Sequence, residues 1–138
     1  MSMWEPFSEQ ARHAIVRAQE VAQMFASTFI GTEHIAFALA ENDDEVGHVL
    51  ANAVDREALR EKLGGVRGFP KLEMVFTPGA KHTIERAFEN ARRLNHGYIG
   101  VAHIALGMLQ SDSPPLRPGT DPEALRREVD AIAAREPD

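Results

Sequence analysis

The stretch Ile30-Gly31-Thr32-Glu33-His34-Ile35-Ala36 decides how this chain is organised, because Ile99-Gly100-Val101-Ala102-His103-Ile104-Ala105 repeats it 69 positions later. Residues 7–40, laid over residues 76–109 at this offset, share 13 identities in 34 positions. A repeat of this length indicates one supersecondary unit that occurs twice and packs against its own copy.

The composition indicates a single globular domain and excludes several classes of protein. The 138 residues are enough to bury about two-thirds of the unfolded surface. The chain has no cysteine, which excludes disulfides and thiolate metal sites and is typical of a reducing compartment. Its net charge of −6 and the lack of a basic stripe argue against a nucleic-acid partner. No apolar run approaches about 18 residues and no signal peptide is recognisable, so we predict a cytoplasmic protein without a membrane partner.

The apolar periodicity predicts helices throughout. Small or apolar residues at positions 11, 15, 18, 22 and 25, and again at 80, 84, 87, 91 and 94, predict a long first helix in each repeat. Ser8 and Thr77 are suitable N-caps for these helices, and Pro78 suits the first helical position. A second helix is predicted for residues 32–40 and 101–109. The fold class is therefore all-α, with two pseudo-symmetric repeats and about seven to eight helices in one domain of residues 1–138.

The two copies differ after their second helices. Repeat one, about residues 7–63, should continue with a short helix over residues 44–50 and a fourth helix capped by Asp55. Repeat two, about residues 76–134, contains Pro114, Pro115 and Pro118 at this point, and it should lack the third helix because proline inside a helix removes hydrogen bonds. Its last helix should begin near residue 121. The glycine-rich residues 64–75 are predicted to link the repeats.

The motifs of both repeats resemble a known family. Phe-Ser/Thr-x-x-Ala at the start of each first helix, followed 24 residues later by Gly-Thr-Glu-His-Ile or a variant, is similar to the Clp N-terminal (Clp R) repeat domain of ClpC-type AAA+ unfoldases. The resemblance covers the chain from Trp4 to about Ala134. It implies a pseudo-symmetric helical domain without catalytic activity or cofactor that binds unfolded proteins and Clp adaptors. The chain has no phosphate-binding loop of an ATPase, and we expect a stand-alone homologue that acts as a decoy or adaptor.

The resemblance also implies a site for phosphoarginine in each repeat. In the family, a hydroxyl residue at the start of the first helix receives the phosphoryl group, and the glutamate of Gly-Thr-Glu-His receives the guanidinium. Ser8 and Glu33 match these positions in repeat one, whereas in repeat two Thr77 matches and Ala102 replaces the glutamate. Arginine-phosphorylated proteins are therefore expected partners of repeat one. The alternative is that Ser8 and Thr77 are only N-caps and that Glu33 is an acid favoured by the helix dipole.

A second expected site is a hydrophobic surface that binds cyclic peptide antibiotics of the cyclomarin type in ClpC domains of actinobacteria. Its positions match Trp4, Phe76, Lys81 and Glu85. Aromatic side chains concentrate binding energy at interfaces, which favours this interpretation. The alternative is that Phe76, like Phe7, packs in the core.

Two further functions stay open at the level of sequence. A small metal-dependent hydrolase could use His34, His103 and Glu33, although no His-Glu-x-x-His motif is present and we expect no metal. We instead expect both histidines to be partly buried and hydrogen-bonded to the neighbouring repeat. A regulatory subunit that docks on the ATPase ring of a ClpC-type unfoldase is the other alternative. The leading prediction remains a non-catalytic binding module of a Clp protease system.

Overall fold

Seven helices and two very short strands make up the described part of the chain, residues 6–25, 27–63 and 75–135 of a computed structural model. In chain order they are α1 (Glu9–Met24), β1 (Phe29–Ile30), α2 (Thr32–Glu41), α3 (Glu45–Ala51), α4 (Arg56–Leu63), β2 (Val75–Phe76), α5 (Pro78–Arg93), α6 (Val101–Leu109) and α7 (Pro122–Arg135). The prediction of an all-helical fold built from two repeats is confirmed. None of the described helices is long and apolar enough to cross a bilayer.

The second helix of each repeat forms the centre of the core. Every residue from His34 to Ala40 in α2 and every residue of α6 is buried. The long helices α1 and α5 cover them with stripes of small residues, such as Ala11, Ala18 and Ala22 on α1, which allow close packing. A helix that is buried all round has to be apolar on every side, which explains why these two segments lack the amphipathic pattern of α1 and α5.

The two repeats diverge where the sequence predicts. Asp44 caps α3 by accepting the N–H of Gly47 at 2.7 Å, and Asp55 caps α4 through the N–H of Ala58 at 3.0 Å. Residues 110–121 of repeat two contain no helix. Instead, Arg117 joins this segment to repeat one, since its backbone N–H donates to the carbonyl of Ala53 at 2.7 Å.

The strands were not predicted from the sequence. Val75, which the sequence assigned to the linker, lies in β2 and pairs in parallel with Phe29, and Phe76 pairs with Ile30. The other linker residues, 64–74, lie outside the described residues. Two residues are too few to show the alternation by which a strand is recognised in a sequence.

Candidate functional site

The first helix of each repeat begins at a hydroxyl cap, as predicted. The hydroxyl oxygen of Ser8 accepts the N–H of Ala11 at 3.1 Å, and that of Thr77 accepts the N–H of Ala80 at 3.1 Å. Both cap residues have extended backbones, with φ and ψ of −64° and 162° for Ser8 and −65° and 161° for Thr77. The two caps are therefore equivalent parts of a pseudo-symmetric pair.

Each cap lies beside the other repeat rather than beside its own connector. The N–H of Thr77 donates to the carbonyl of Ile30 in repeat one at 2.9 Å, and the N–H of Ser8 donates to the carbonyl of Ile99 in repeat two at 2.8 Å. A parallel bridge between Phe7 and Ile99 mirrors the β1–β2 pairing. The start of each first helix is thus fixed against the residues that precede the other repeat's second helix.

These backbone contacts between the repeats decide which of the expected phosphoarginine residues lie close together. Ser8 caps the start of α1, whereas Glu33 lies on α2, beyond the connector that follows the end of α1. The 16 residues of α1, about 24 Å long, therefore separate Ser8 from the connector that leads to Glu33. Glu33 instead lies beside Thr77: a β-carbon added at Gly31 would be 2.9 Å from Oε2 of Glu33 and 3.8 Å from Cγ2 of Thr77. The expectation of a Ser8–Glu33 pair within repeat one was therefore wrong in geometry.

The resulting first cleft lies between the starts of α2 and α5. It has a volume of about 250 Å³. Its lining is almost entirely polar and consists of Thr32, Glu33, Gly79, His82, Arg86, Ser111, Asp112 and Ser113. Gly79 keeps the cleft open, because a β-carbon at this position would be 3.2 Å from Oγ1 of Thr32.

The first cleft can hold groups of either charge at adjacent places. The first turns of α2 and α5 have N–H groups that no helical carbonyl accepts, and such helix starts attract anions. Glu33 and Asp112 offer carboxylates to a cation. The guanidinium of Arg86 is engaged elsewhere, since its Nε donates to the carbonyl of Gly107 at 2.8 Å. Sequence reasoning missed Asp112, which only the irregular segment of repeat two brings to this cleft.

The equivalent second cleft lies between the starts of α1 and α6 and is larger, with a volume of about 740 Å³. Ala102 stands where the first cleft has Glu33, and Gln10 stands where it has Gly79. The side chains of Val46, Val101 and Ile132 give this cleft an apolar lining. The second cleft therefore lacks the carboxylate at the start of α6, although Asp44 and Glu45 at the start of α3 also line it.

Both repeated histidines are buried, but they bond to their own repeat. Nδ1 of His34 accepts the N–H of Gly31 at 2.8 Å, and Nδ1 of His103 accepts the N–H of Gly100 at 2.8 Å. The expected bonds to the neighbouring repeat are thus wrong, and the short i to i+3 spacing could have revealed the local ones. Burial lowers the pKa of His34, which the charge of Glu33 opposes. Burial, with smaller effects of His96 and Arg93, lowers the pKa of His103 to about 4.

The described residues do not bring the side chains of the hydrolase alternative together as a metal site. Within residues 6–25, 27–63 and 75–135, no three histidine or acidic side chains are close enough together to hold a metal ion. The exposed fractions of His34 and His103 are 4% and 0%, and their Nδ1 atoms are already occupied. Their repeated placement follows from a structural role at the helix starts.

Of the residues expected to form the hydrophobic surface, Phe76 lies in β2, and Lys81 and Glu85 lie on α5. Phe76 is half-buried and packs against the core, whereas Lys81 and Glu85 are exposed one turn apart on α5. Trp4 lies outside the described residues. The paired residues Phe29 and Val75 are 48% and 55% exposed and form an apolar surface pair in the two strands, a feature that the sequence analysis missed.

Comparison with known proteins agrees with the repeat architecture. The family described as the Clp repeat (R) N-terminal domain matches residues 6–72 and residues 75–138, once for each repeat. The chain belongs to this family. This Clp repeat domain is 37% identical over 139 residues to the chloroplastic chaperone protein ClpC2 of Oryza sativa subsp. japonica, covering 93% of the chain and 15% of the relative. It is 39% identical over 114 residues to a ClpA homologue of Guillardia theta, an ATP-dependent Clp protease ATP-binding subunit, covering 78% of the chain and 14% of that relative.

Solved structures share the fold of this Clp repeat domain. The N-terminal domain of the chaperone ClpD from Arabidopsis thaliana superposes with a TM-score of 0.75 at 23% identity, over 96% of this chain and 97% of that one. The N-terminal domain of Hsp104 from Candida albicans superposes with a TM-score of 0.72 at 16% identity, over 96% and 94% of the chains. At these identities the likeness concerns the fold alone.

Proposed function

We propose that this Clp repeat domain is a non-catalytic docking module that presents substrate proteins or adaptors to a Clp-type ATPase. Relatives of the chain are chaperones and ATP-binding subunits of ATP-dependent Clp proteases, of which it spans about 15%. The observation that carries the proposal is the first cleft, in which side chains of both repeats meet at two helix starts. A cytoplasmic location stays a prediction.

The ligand chemistry proposed for the first cleft is phosphoarginine on a protein substrate. The free N–H groups at the starts of α2 and α5, with the hydroxyl of Thr77, suit the phosphoryl group. The carboxylate of Glu33 suits the guanidinium, because the two planar groups can form paired hydrogen bonds. The proximity of Thr77 to Glu33 supports this proposal, since Cγ2 of Thr77 and Oε2 of Glu33 would lie 3.8 Å and 2.9 Å from a β-carbon built on Gly31. Ser8 lines the second cleft, where the position equivalent to Glu33 is occupied by Ala102.

Titration calorimetry with free phosphoarginine tests this proposal. We expect one equivalent to bind to the parent chain and Glu33→Gln to weaken binding by roughly 10- to 150-fold, the cost of losing a charged hydrogen-bond partner. Glu57→Gln is the matched control, because Glu57 occupies the same position in the first turn of α4 and is exposed. Equal affinity of the parent and Glu33→Gln would refute the assignment of the guanidinium to this carboxylate.

A cyclic peptide of the cyclomarin type is the second proposed ligand, and it is favoured by the exposed pair Phe29 and Val75 beside Phe76. The single tryptophan, Trp4, provides a fluorescence signal for the titration. We expect Phe29→Ser to weaken binding by roughly tenfold or more, as is usual for an aromatic anchor. Met24→Ser is a control, because Met24 is 53% exposed on α1 and lies outside the strand pair. An equal loss in both variants would argue against this surface.

A further inference from the structure

Repeat two contains a chain of hydrogen bonds that passes through two imidazoles. The N–H of Gly100 donates to Nδ1 of His103 at 2.8 Å, and Nε2 of His103 lies 2.9 Å from Nδ1 of His96. His103 is fully buried, whereas His96 is half-buried in the connector between α5 and α6. His96 is therefore the imidazole of this hydrogen-bond series that solvent can reach.

The direction of these bonds fixes the protonation of both rings. Because Nδ1 of His103 accepts a backbone N–H, its single proton is on Nε2. That N–H must point at a lone pair, so Nδ1 of His96 is unprotonated and His96 is neutral. A proton added to Nδ1 of His96 would place two N–H groups opposite each other at 2.9 Å. The contact exists only while both rings are neutral.

Charged and aromatic groups of α5, α7 and the connector surround this histidine pair, His96 and His103. The charge that acts on His103 from α5 is that of Arg93, which pairs with Asp130 of α7 at 2.5 Å. Arg92, also on α5, lines the same surface pocket as His96. From the connector, the ring of Tyr98 stacks on His96 with centroids 5.4 Å apart and planes 7° apart.

Tyr98 connects the histidine pair to the second cleft. It stacks on His96 and also lines the second cleft beside Gly100 and Val101. The next residue, Ile99, is bonded to the entry of α1, since its N–H donates to the carbonyl of Pro6 at 2.7 Å. A movement of His96 would therefore act on a wall of the cleft and on the contact between repeats.

Repeat one lacks this arrangement although it keeps the buried histidine. Ser27 and Phe29 occupy the positions of His96 and Tyr98. His34 accepts the N–H of Gly31 in the same way, but its Nε2 is buried and has no hydrogen-bond partner in the part of the chain that the structure describes. Repeat one thus provides an internal control that has the helix-start bond without a second titrating ring.

We propose that the histidine pair is an acid-sensitive contact that holds Tyr98 against the second cleft and releases it when His96 is protonated. In the released state, Nε2 of His103 loses its partner and comes to resemble Nε2 of His34, which has none among the described residues. The wall of the second cleft formed by Tyr98 consequently differs between neutral and mildly acidic solution. This inference concerns the chain without ligand, so it stands apart from the proposed phosphoarginine binding.

Nuclear magnetic resonance on the full chain tests the proposal. At pH 8 we expect long-range nitrogen–proton spectra to show Nε2–H and unprotonated Nδ1 on both His96 and His103. As the pH falls toward 5, the ring signals of Tyr98 should shift together with those of His96. Hydrogen exchange of the Gly100 amide, corrected for the intrinsic pH dependence, should rise by roughly 5- to 150-fold, the range for loss of a buried partner. The exchange of the Gly31 amide, corrected in the same way, should not change over this pH range, because Ser27 occupies the position of His96 in repeat one.

Two variants separate the histidine pair from general acid effects. His96→Gln keeps an acceptor for Nε2–H of His103 but does not titrate, so Tyr98 and Gly100 should no longer respond to pH. His96→Ser copies Ser27 of repeat one, and it should show the released state of Tyr98 already at pH 8. A pH response that persists in His96→Gln, or equal responses of Gly31 and Gly100, would overturn the proposal. If a variant does not fold, the tautomer measurement on the parent chain still tests the proposal. An Nδ1–H form of His103 would contradict the proposed hydrogen-bond directions and overturn it.

Discussion

Gly107 should be the position at which one added methyl group most clearly disturbs the packing of repeat two. It lies in the last turn of α6, where α5 crosses closely. A β-carbon built on Gly107 would be 2.4 Å from the carbonyl oxygen of Thr83 and 3.2 Å from the backbone nitrogen of Ala87. Both are backbone atoms of α5, so no side-chain rotation can relieve the overlap. The helices have to move apart.

The expected cost of Gly107→Ala follows from two opposing effects. Overpacking of a tight core costs about 1–3 kcal/mol, sometimes more, and the shift also strains the bond from Arg86 to the carbonyl of Gly107, worth about 1 kcal/mol. Replacing glycine by alanine inside a helix returns about 1 kcal/mol. We expect a net loss of about 1–3 kcal/mol in the free energy of unfolding, or roughly 3–9 °C in the melting temperature for a domain of this size.

Circular dichroism during thermal and urea unfolding measures this loss, and repeat one provides the matched control. Ala38 occupies the position of Gly107 and is only 2% exposed, so the crossing of α1 and α2 accommodates a methyl group. Ala38→Gly should lower stability by about 1 kcal/mol through helix propensity, with a small cavity added. A melting temperature of Gly107→Ala equal to or above that of the parent chain would refute the close approach of α5 and α6.

Three further predictions concern pH, a second close approach and the second cleft. The folded pKa of His103, about 4, lies below the unfolded value near 6.5. Its contribution of up to about 3 kcal/mol to the free energy of unfolding is therefore present above pH 6.5 and is lost as the pH falls toward 4. Urea unfolding across this range should show a free energy of unfolding that falls as the pH falls, and His103→Gln should flatten this slope. Gly47→Ala should destabilise the fold by more than about 2 kcal/mol in the same assay, because its β-carbon would be 1.8 Å from the carbonyl oxygen of Asn42. Ala102→Glu combined with Gln10→Gly should add a second equivalent of phosphoarginine in calorimetry, and unchanged stoichiometry would contradict the proposed chemistry of the clefts.

The comparison of the two clefts shows how a duplicated sequence produces unequal sites. The helix starts, caps and buried histidines are the same in both copies, so the scaffold of each cleft is the same. The difference comes from single residues, above all Glu33 against Ala102, and from the segment of residues 110–121 that replaces a helix. Asp112 enters the first cleft from this segment. We therefore expect ligand binding first at the first cleft, near Glu33 and Thr77.

Much of the fold could be predicted because it depends on neighbours in the sequence. Ser8 and Thr77 cap their helices through an N–H only three residues later, and the prolines of residues 114–118 exclude a helix locally. The bonds of His34 and His103 to their helix starts are equally local and could have been found. The strands could not, because the sequence of two residues has no period and their pairing depends on a partner more than 40 residues away.

The sequence by itself determined the two repeats, the helices and their caps, because these follow from periodicity and from bonds within a few residues. Which repeat completes each cleft was decided only by the tertiary structure. Phe7 and Phe76 are identical, as are Ile30 and Ile99, so pairing within a repeat and pairing between repeats involve the same side chains. The rigid length of α1 and α5, about 24 Å each, separates the two ends of a repeat and leaves only the other copy within reach.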